Sequence, residues 1–182
     1  VGAVVKAEGK TFIVDAMSSF GGVDINVPEI GIDFLVSSAN KCIQGVPGFS
    51  FIIARKEKLL ASKGNARSLS LDLYDQWRVM EKDGGKWRFT SPTHVVAAFH
   101  RAMLELKEEG GIAARNARYE HCNRMLREGM KALGFEAYID PAHQGPIITT
   151  FFYPENANFT FAGMYDYLKS HGYVIYPGKL TE

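Results

Sequence analysis

Two residues near the start of the chain have the types and the spacing to do chemistry together. Lys41 sits in "FLVSSANKCIQGVPGFSF", residues 34–51, where an apolar run turns small and polar and glycines follow; Asp15 ends the run "TFIVD". In open α/β sheets ligands bind outside the carboxyl ends of the strands, and this pattern puts both residues at such ends. A lysine amine that is uncharged for part of its cycle attacks carbonyls to form Schiff bases, and partial desolvation favours that form. A lysine Schiff base with an acid at a pyridinium nitrogen is the mark of pyridoxal phosphate sites. Asp15 would keep the ring nitrogen protonated, so that the ring draws electrons from a substrate carbon, and the freed Lys41 amine would shuttle the proton. From spacing alone a second reading stands beside this one. Lysines just past a strand are commonly solvated and aspartates at strand–loop junctions are commonly turn residues. A noncatalytic α/β binding domain, with Asp15 and Lys41 as a structural pair, uses the same residues.

The stretch "FTSPTHVV" is a third candidate, with Thr90 or Ser91 as an N-cap and Pro92 in the first turn of a helix. A helix start offers free N–H groups to a phosphate, although capping alone also explains the pattern. The five histidines fall at no metal-ligand spacing, so no metal is expected. No GxGxxG fingerprint or Walker loop occurs, and "QGVPGF" reads as a turn between strands. Cys42, beside Lys41, reads as a small buried hydrophobe.

The elements that must position these residues follow from the apolar pattern. "KTFIVDAMSSFGG", "GIDFLVSSANK" and "GFSFIIARKEKLL" each give a short apolar run closed by small or charged residues, which predicts three buried strands in a sheet covered on both faces. "VGAVVKAEGKTFIVD" starts strand-like. From Thr90 the period becomes helical, with Val95, Val96, Phe99, Met103 and Leu106 on one face and Gly110 and Gly111 at the end. A second helix is expected from about Ile112 to Leu133, with Tyr119, Cys122, Met125, Leu126 and Met130 along its apolar stripe. Residues 1–111 and 112–182 are therefore expected to form two domains, the second a smaller α/β unit with strands "PIITTFFYP" and "YVIYP" and a helix from about Phe161 to Ser170. "SLSLDLYDQWRVMEKDGGKWRF" favours neither period and reads as connecting structure.

Of the 182 residues 46% are hydrophobic and 23% charged, which are the proportions of an ordinary globular protein. Lys plus Arg number 21 against 20 Asp plus Glu, a formal net charge of +1, so no overall field recruits nucleic acid or an acidic membrane, and small molecules are the expected partners. Two cysteines, neither in a CxxC pair, and the lack of a signal-like opening fit a soluble protein of the cytoplasm. An opening at Val1 and an ending in "YVIYPGKLTE" read as those of a fragment.

"VDAMSSFGG" and "SSANKCIQGVPGFSF", continued by "WRFTSPTHVV" and "GYVIYPGKL", resemble the class V aminotransferases of fold type I, and among them the group acting on 2-aminoethylphosphonate and pyruvate. The intervals from Asp15 to Lys41 and from Lys41 to Thr90, 26 and 49 residues, agree with that family's spacing. The resemblance covers essentially the whole chain. It implies part of a fold type I large domain, a mainly parallel sheet flanked by helices, followed by an incomplete smaller domain. It implies pyridoxal phosphate as cofactor, with Lys41 as the Schiff-base lysine, Asp15 on the pyridine nitrogen and Met17 packed against the ring. Thr90 would meet the cofactor phosphate across a homodimer interface, where aromatics of residues 74–89 could also lie, and Ser38 and Asn40 would make further phosphate or ring contacts. The implied reaction moves an amino group from 2-aminoethylphosphonate to pyruvate, giving phosphonoacetaldehyde and L-alanine in phosphonate catabolism. An alanine–glyoxylate or serine–glyoxylate aminotransferase is the near alternative. The family's glycine-rich phosphate loop and ring-stacking aromatic would precede Val1, and its substrate arginine would follow Glu182, so these 182 residues alone are expected to transaminate weakly or not at all.

Overall fold

The computed structural model describes residues 1–178. They divide into two compact units, Val1–Asn116 and the described residues from Ala117 on. The first contains α1 (Gly2–Ala7), β1 (Ile13–Asp15), α2 (Val27–Ile30), β2 (Phe34–Ser38), β3 (Ser50–Ala54), α3 (Lys56–Ala61), α4 (Leu73–Lys82), α5 (Thr93–Glu109) and the start of α6 (Gly111–Ala132). The second holds the rest of α6 and α7 (Phe161–Ser170).

The sheet has the order β1-β2-β3. β1 runs parallel to β2, with Ile13 beside Phe34 and Asp15 beside Val36, whereas β3 runs antiparallel to β2, from Phe34 beside Ala54 to Ser38 beside Ser50. A mixed sheet thus replaces the expected mainly parallel one. The reason is the connection: β1 reaches β2 through a segment that contains α2, but β2 turns back into β3 directly through residues 39–49, too short a path for a parallel crossover. Of the three strands expected to be buried only β2 is: Ile13 of β1 is 63% exposed, and β3, with β2 as its one neighbour among the described residues, leaves Ile52 and Ile53 40% and 39% exposed. Ile52 opens onto a groove of about 440 Å³ that Leu59, Trp77 and Met80 also line.

Residues 2–7 form a helix rather than a strand start. The "SLSLDLYDQWRVMEKDGG" stretch also holds a helix, α4, which opens with an Asp72 cap: the Asp72 side chain accepts from the Asp75 N–H at 2.9 Å. Asp75 in turn accepts from Arg88 at 2.8 Å and from Arg78 Nε at 2.9 Å. The Arg88 hydrogen bond first, and the Arg78 one second, hold the Asp75 carboxyl below its ordinary value, while Asp75 raises Arg78. Trp87 packs edge-on against Phe49, the core packing that is as good a reading of the aromatics of residues 74–89 as an interface.

Two apolar clusters fill this unit. Ala16, Ile32 and Leu35 form one, backed by Phe12, Val14 and Ile25; Ile43, Ala102 and Leu106 form the other, backed by Phe99 and Ile112. Phe20 packs against both. α5 and α6 match the expected helices within a few residues; on α5 Val95, Val96, Phe99 and Leu106 turn inward as expected and Met103 does not, whereas the buried face of α6 is rotated. Met103 is exposed and Ala102 buried; Cys122, Met125 and Leu126 are exposed and Asn123 is buried. The helical period in the sequence left the neighbouring positions as plausible, and the partners decide: Ala102 meets Ile43, and Asn123 donates to Thr149 Oγ1 at 2.6 Å.

In the second unit the expected strand "PIITTFFYP" shrinks to a single bridge between Ala137 and Phe151, closed by Tyr138 N–H to Thr150 O at 2.8 Å and Phe152 N–H to Glu136 O at 2.8 Å. "YVIYP" forms no strand. Without neighbouring strands to continue a ladder, both segments run as irregular chain. α7 has the expected bounds and is capped by Thr160, whose Oγ1 accepts from the Gly163 N–H at 3.1 Å. Of the expected "GYVIYPGKL" match, Lys179 and Leu180 lie outside the described residues.

Candidate functional site

Asp15 is the last residue of β1 and Ser38 the last of β2, and because these strands are parallel neighbours their chains leave the sheet at the same end. Lys41 follows, itself exposed, on a turn that two backbone hydrogen bonds close, Gln44 N–H to Lys41 O at 2.8 Å and Gly45 N–H to Ala39 O at 2.9 Å. The turn needs glycine at 45, since a Cβ there would stand 2.6 Å from the Ala39 carbonyl oxygen. Gln44 has φ 64°, a left-handed backbone that non-glycine residues adopt at a cost of about 1–2 kcal/mol. Such strain is commonly held at functional turns.

The turn after Asp15 is built alongside. The Met17 N–H donates to Asp15 Oδ1 at 2.9 Å, fixing the carboxylate's direction, and Phe20 N–H closes back to Ala16 O at 2.9 Å. Asp15 Oδ2 has no partner among the described residues. Three contacts join the two turns. The Cys42 thiol donates to Ser18 O at 3.1 Å, Ser37 Oγ donates to Ala16 O at 3.3 Å, and Gly21 lies so close to Ile43 that a Cβ on it would come within 2.4 Å of Ile43 Cδ1. Cys42 is therefore buried, as expected, and also a tie between turns.

Among the other predicted residues, Met17 and Asn40 are half-buried, and Ser38 is buried with its Oγ lacking any hydrogen-bond partner. Thr90 is exposed in the segment before α5, and neither it nor Ser91 caps that helix: Pro92 occupies the N-cap position without a side-chain hydrogen bond. The expected capping role is thus corrected. A proline at the N-cap has no side-chain acceptor to offer, and the Thr93 N–H turns back to Ser91 O at 2.9 Å instead. Among the described residues no three His, Cys, Asp or Glu side chains gather as metal ligands would. No described helix is long and apolar enough to cross a membrane.

From α6 come two residues that the sequence did not single out. Arg115, 2% exposed, donates from Nη1 to Cys42 O at 2.8 Å and to Ile43 O at 3.2 Å, and pairs with Glu109 at 2.7 Å. Asn116, its neighbour, donates from Nδ2 to Gly22 O at 2.9 Å. A signal for Arg115 was present: it stands three residues after Ile112 and four before Tyr119, a charge within an otherwise apolar stripe.

The protein-family model for class-V aminotransferases matches residues 1–178. The chain belongs to that family. A class-V relative, the 2-aminoethylphosphonate–pyruvate transaminase of Bacteroides fragilis (strain YCH46), is 63% identical over 179 residues, 98% of this chain and 49% of the relative. The chain thus spans about half the length of the curated relatives it matches. Among solved structures, alanine–glyoxylate aminotransferase from Nostoc sp. superposes with a TM-score of 0.84 at 20% identity, over 100% of this chain and 48% of that one. Phosphoserine aminotransferase from Trichomonas vaginalis, solved with pyridoxal phosphate bound, gives a TM-score of 0.76 at 22% identity, over 91% of this chain and 45% of that one. The class-V fold is therefore that of the fold type I aminotransferases, here represented by its α/β layer and a small mixed sheet.

Proposed function

We propose that this chain is the Schiff-base lysine segment of a pyridoxal phosphate-dependent 2-aminoethylphosphonate–pyruvate transaminase. Class-V membership supports the reaction type, and the Bacteroides fragilis relative supports the substrates. The observation that carries the site is the departure of Asp15 and the Lys41 turn from the same end of two neighbouring parallel strands. The residues present suit the cofactor: an acid with one oxygen fixed and one unpartnered, and a buried Ser38 hydroxyl without a partner.

When bound, pyridoxal phosphate supplies an aldehyde for primary amines and a ring that accepts the electron pair left behind by a departing substrate proton. Lys41 Nζ would hold the cofactor's aldehyde carbon, and as a free amine it would take the substrate proton and return it to a neighbouring position. Asp15 would keep a proton on the ring nitrogen, its Oδ1 fixed by Met17 N–H. Met17 would pack against the ring, Ser38 and Asn40 would contact the phosphate or the ring, and Thr90 would contact the phosphate from the other subunit of a homodimer. Residues 1–111 belong to the large cofactor-binding domain and residues 112–182 to an incomplete small one. The setting is the cytoplasm. A structural Asp15–Lys41 pair is the weaker reading, because the exposed Lys41 forms no ion pair among the described residues.

The test is colour and covalent mapping on the whole polypeptide that carries this chain. Incubation with pyridoxal phosphate, borohydride reduction and peptide mapping should place the label on Lys41, and 2-aminoethylphosphonate with pyruvate should then give alanine. Lys41→Ala should abolish both. A colourless protein with Lys41 unlabelled refutes the proposal, whereas label without alanine refutes only the choice of substrates.

A further inference from the structure

We propose that the start of α6 is the clamp that sets the position of Lys41, with Arg115 as the positioning residue and Asn116 as its companion on the adjoining turn. This inference rests on the site reading above. Arg115 is the largest fully buried side chain of the structure, and a guanidinium is costly to bury unless all its donors are used. They are spent in two directions. Nε and Nη2 hold Glu109, the last residue of α5, at 2.8 and 2.7 Å, and Nη1 takes the carbonyls of the two residues after Lys41, at 2.8 Å from Cys42 O and 3.2 Å from Ile43 O.

The planar fork is what makes this a positioning device, because its rigid donors fix the direction of every acceptor at once. Lys41 is exposed and its side chain has no hydrogen bond or ion pair among the described residues, so its place follows from the backbone on which it rides. Asn116, on the same helical turn, holds Gly22 O in the segment after Asp15. Two consecutive residues of one helix therefore fix the backbone beyond the lysine and the backbone beyond the acid. The Cys42 thiol to Ser18 O contact joins the same two segments directly. Glu109 neutralises the arginine, so the clamp brings no net charge to the neighbourhood of the Lys41 amine.

The experiment compares Arg115→Lys and Arg115→Gln with Arg101→Lys, an exposed site on α5, in the whole polypeptide. Hydrogen exchange at the Gln44 and Gly45 amides is measured without cofactor, and Ala102 in α5 reports on the fold. Labelling of Lys41 by pyridoxal phosphate and borohydride is then measured relative to exposed Lys63 in the same sample. A lysine at 115 keeps the charge beside Glu109 but not the fork, so exchange at 44 and 45 should quicken on the order of tenfold while Ala102 is unchanged. The Lys41 to Lys63 labelling ratio should fall on the order of 10- to 100-fold, further in the glutamine variant. Arg101→Lys should change neither. Exchange and labelling ratio both within about twofold of the unsubstituted protein in Arg115→Lys would overturn the proposal. Quickened exchange spread through α5 would also overturn it, as the mark of general loosening. Should the unsubstituted protein fail to label Lys41, the cofactor reading falls, and the exchange at 44 and 45 still decides the clamp. Should the glutamine variant not fold, the lysine variant decides.

Discussion

Replacing Gly21 by alanine puts the closeness of the two site turns to a quantitative test. Gly21 has φ +89°, where an L side chain is strained, and its new Cβ would stand 2.4 Å from Ile43 Cδ1 and 3.2 Å from Ile43 Cγ1. The backbone strain is worth about 1–2 kcal/mol. The clash adds about 1–3 kcal/mol, since Ile43 is only 1% exposed and shares its cluster with Ala102 and Leu106, so it has no free volume into which to turn. Gly21→Ala should therefore destabilise by roughly 2–5 kcal/mol. Ile43→Val removes the offending Cδ1 and alone costs about 0.5–1.5 kcal/mol. If the clash is real, the double variant should be more stable than the sum of the two singles by about 1–2 kcal/mol, because only the backbone part persists. Urea unfolding followed by far-ultraviolet circular dichroism measures all four proteins of the cycle. Strict additivity would refute the claim that these turns touch through Gly21 and Ile43.

Two further outcomes follow from charged groups outside the site. Asp75 has its folded carboxyl held below the ordinary value by Arg88 and then Arg78, so its contribution is full above the ordinary 3.8 and is lost as pH falls through the lowered folded value. The gap in urea midpoint between the unsubstituted protein and Asp75→Asn should therefore be present at neutral pH and close in strong acid; a gap constant across that range contradicts the assignment. Asp33 is buried beneath Arg55 and Lys58 and accepts from the Phe12 N–H at 2.9 Å, so Asp33→Ala strands that donor and should cost about 1–3 kcal/mol by chemical denaturation.

What could be read from the sequence was set by local pattern. β1, β2 and the small-residue turns after them were legible because an apolar run ending in Asp15 or in "SSANK" has few other uses, and the bounds of α7 were legible from its period. The orientation of β3 was not, because an apolar run does not say which way its strand runs; the short path from Ser38 to Ser50 does. α4 was legible in principle, since Asp72 three residues before Asp75 is a local cap signal, but its ten residues were averaged into a longer stretch of serines and glycines whose period is mixed. The face of α6 slipped by one position because its buried residues include the polar Arg115 and Asn123, which carry no apolar signal. Arg115 carries the sharpest lesson: its carbonyl partners lie 73 and 72 positions away along the chain, beyond the reach of any periodicity.

Phe20 belongs to neither apolar cluster alone, and this has a consequence for how the first unit can vary. A change of volume beside Leu35 is felt by the same ring that rests near Leu106, so compensating substitutions should arise between positions that never meet. Residues of the acid-bearing side and of the α5 side would then drift as one correlated set, with the phenyl group as their common boundary.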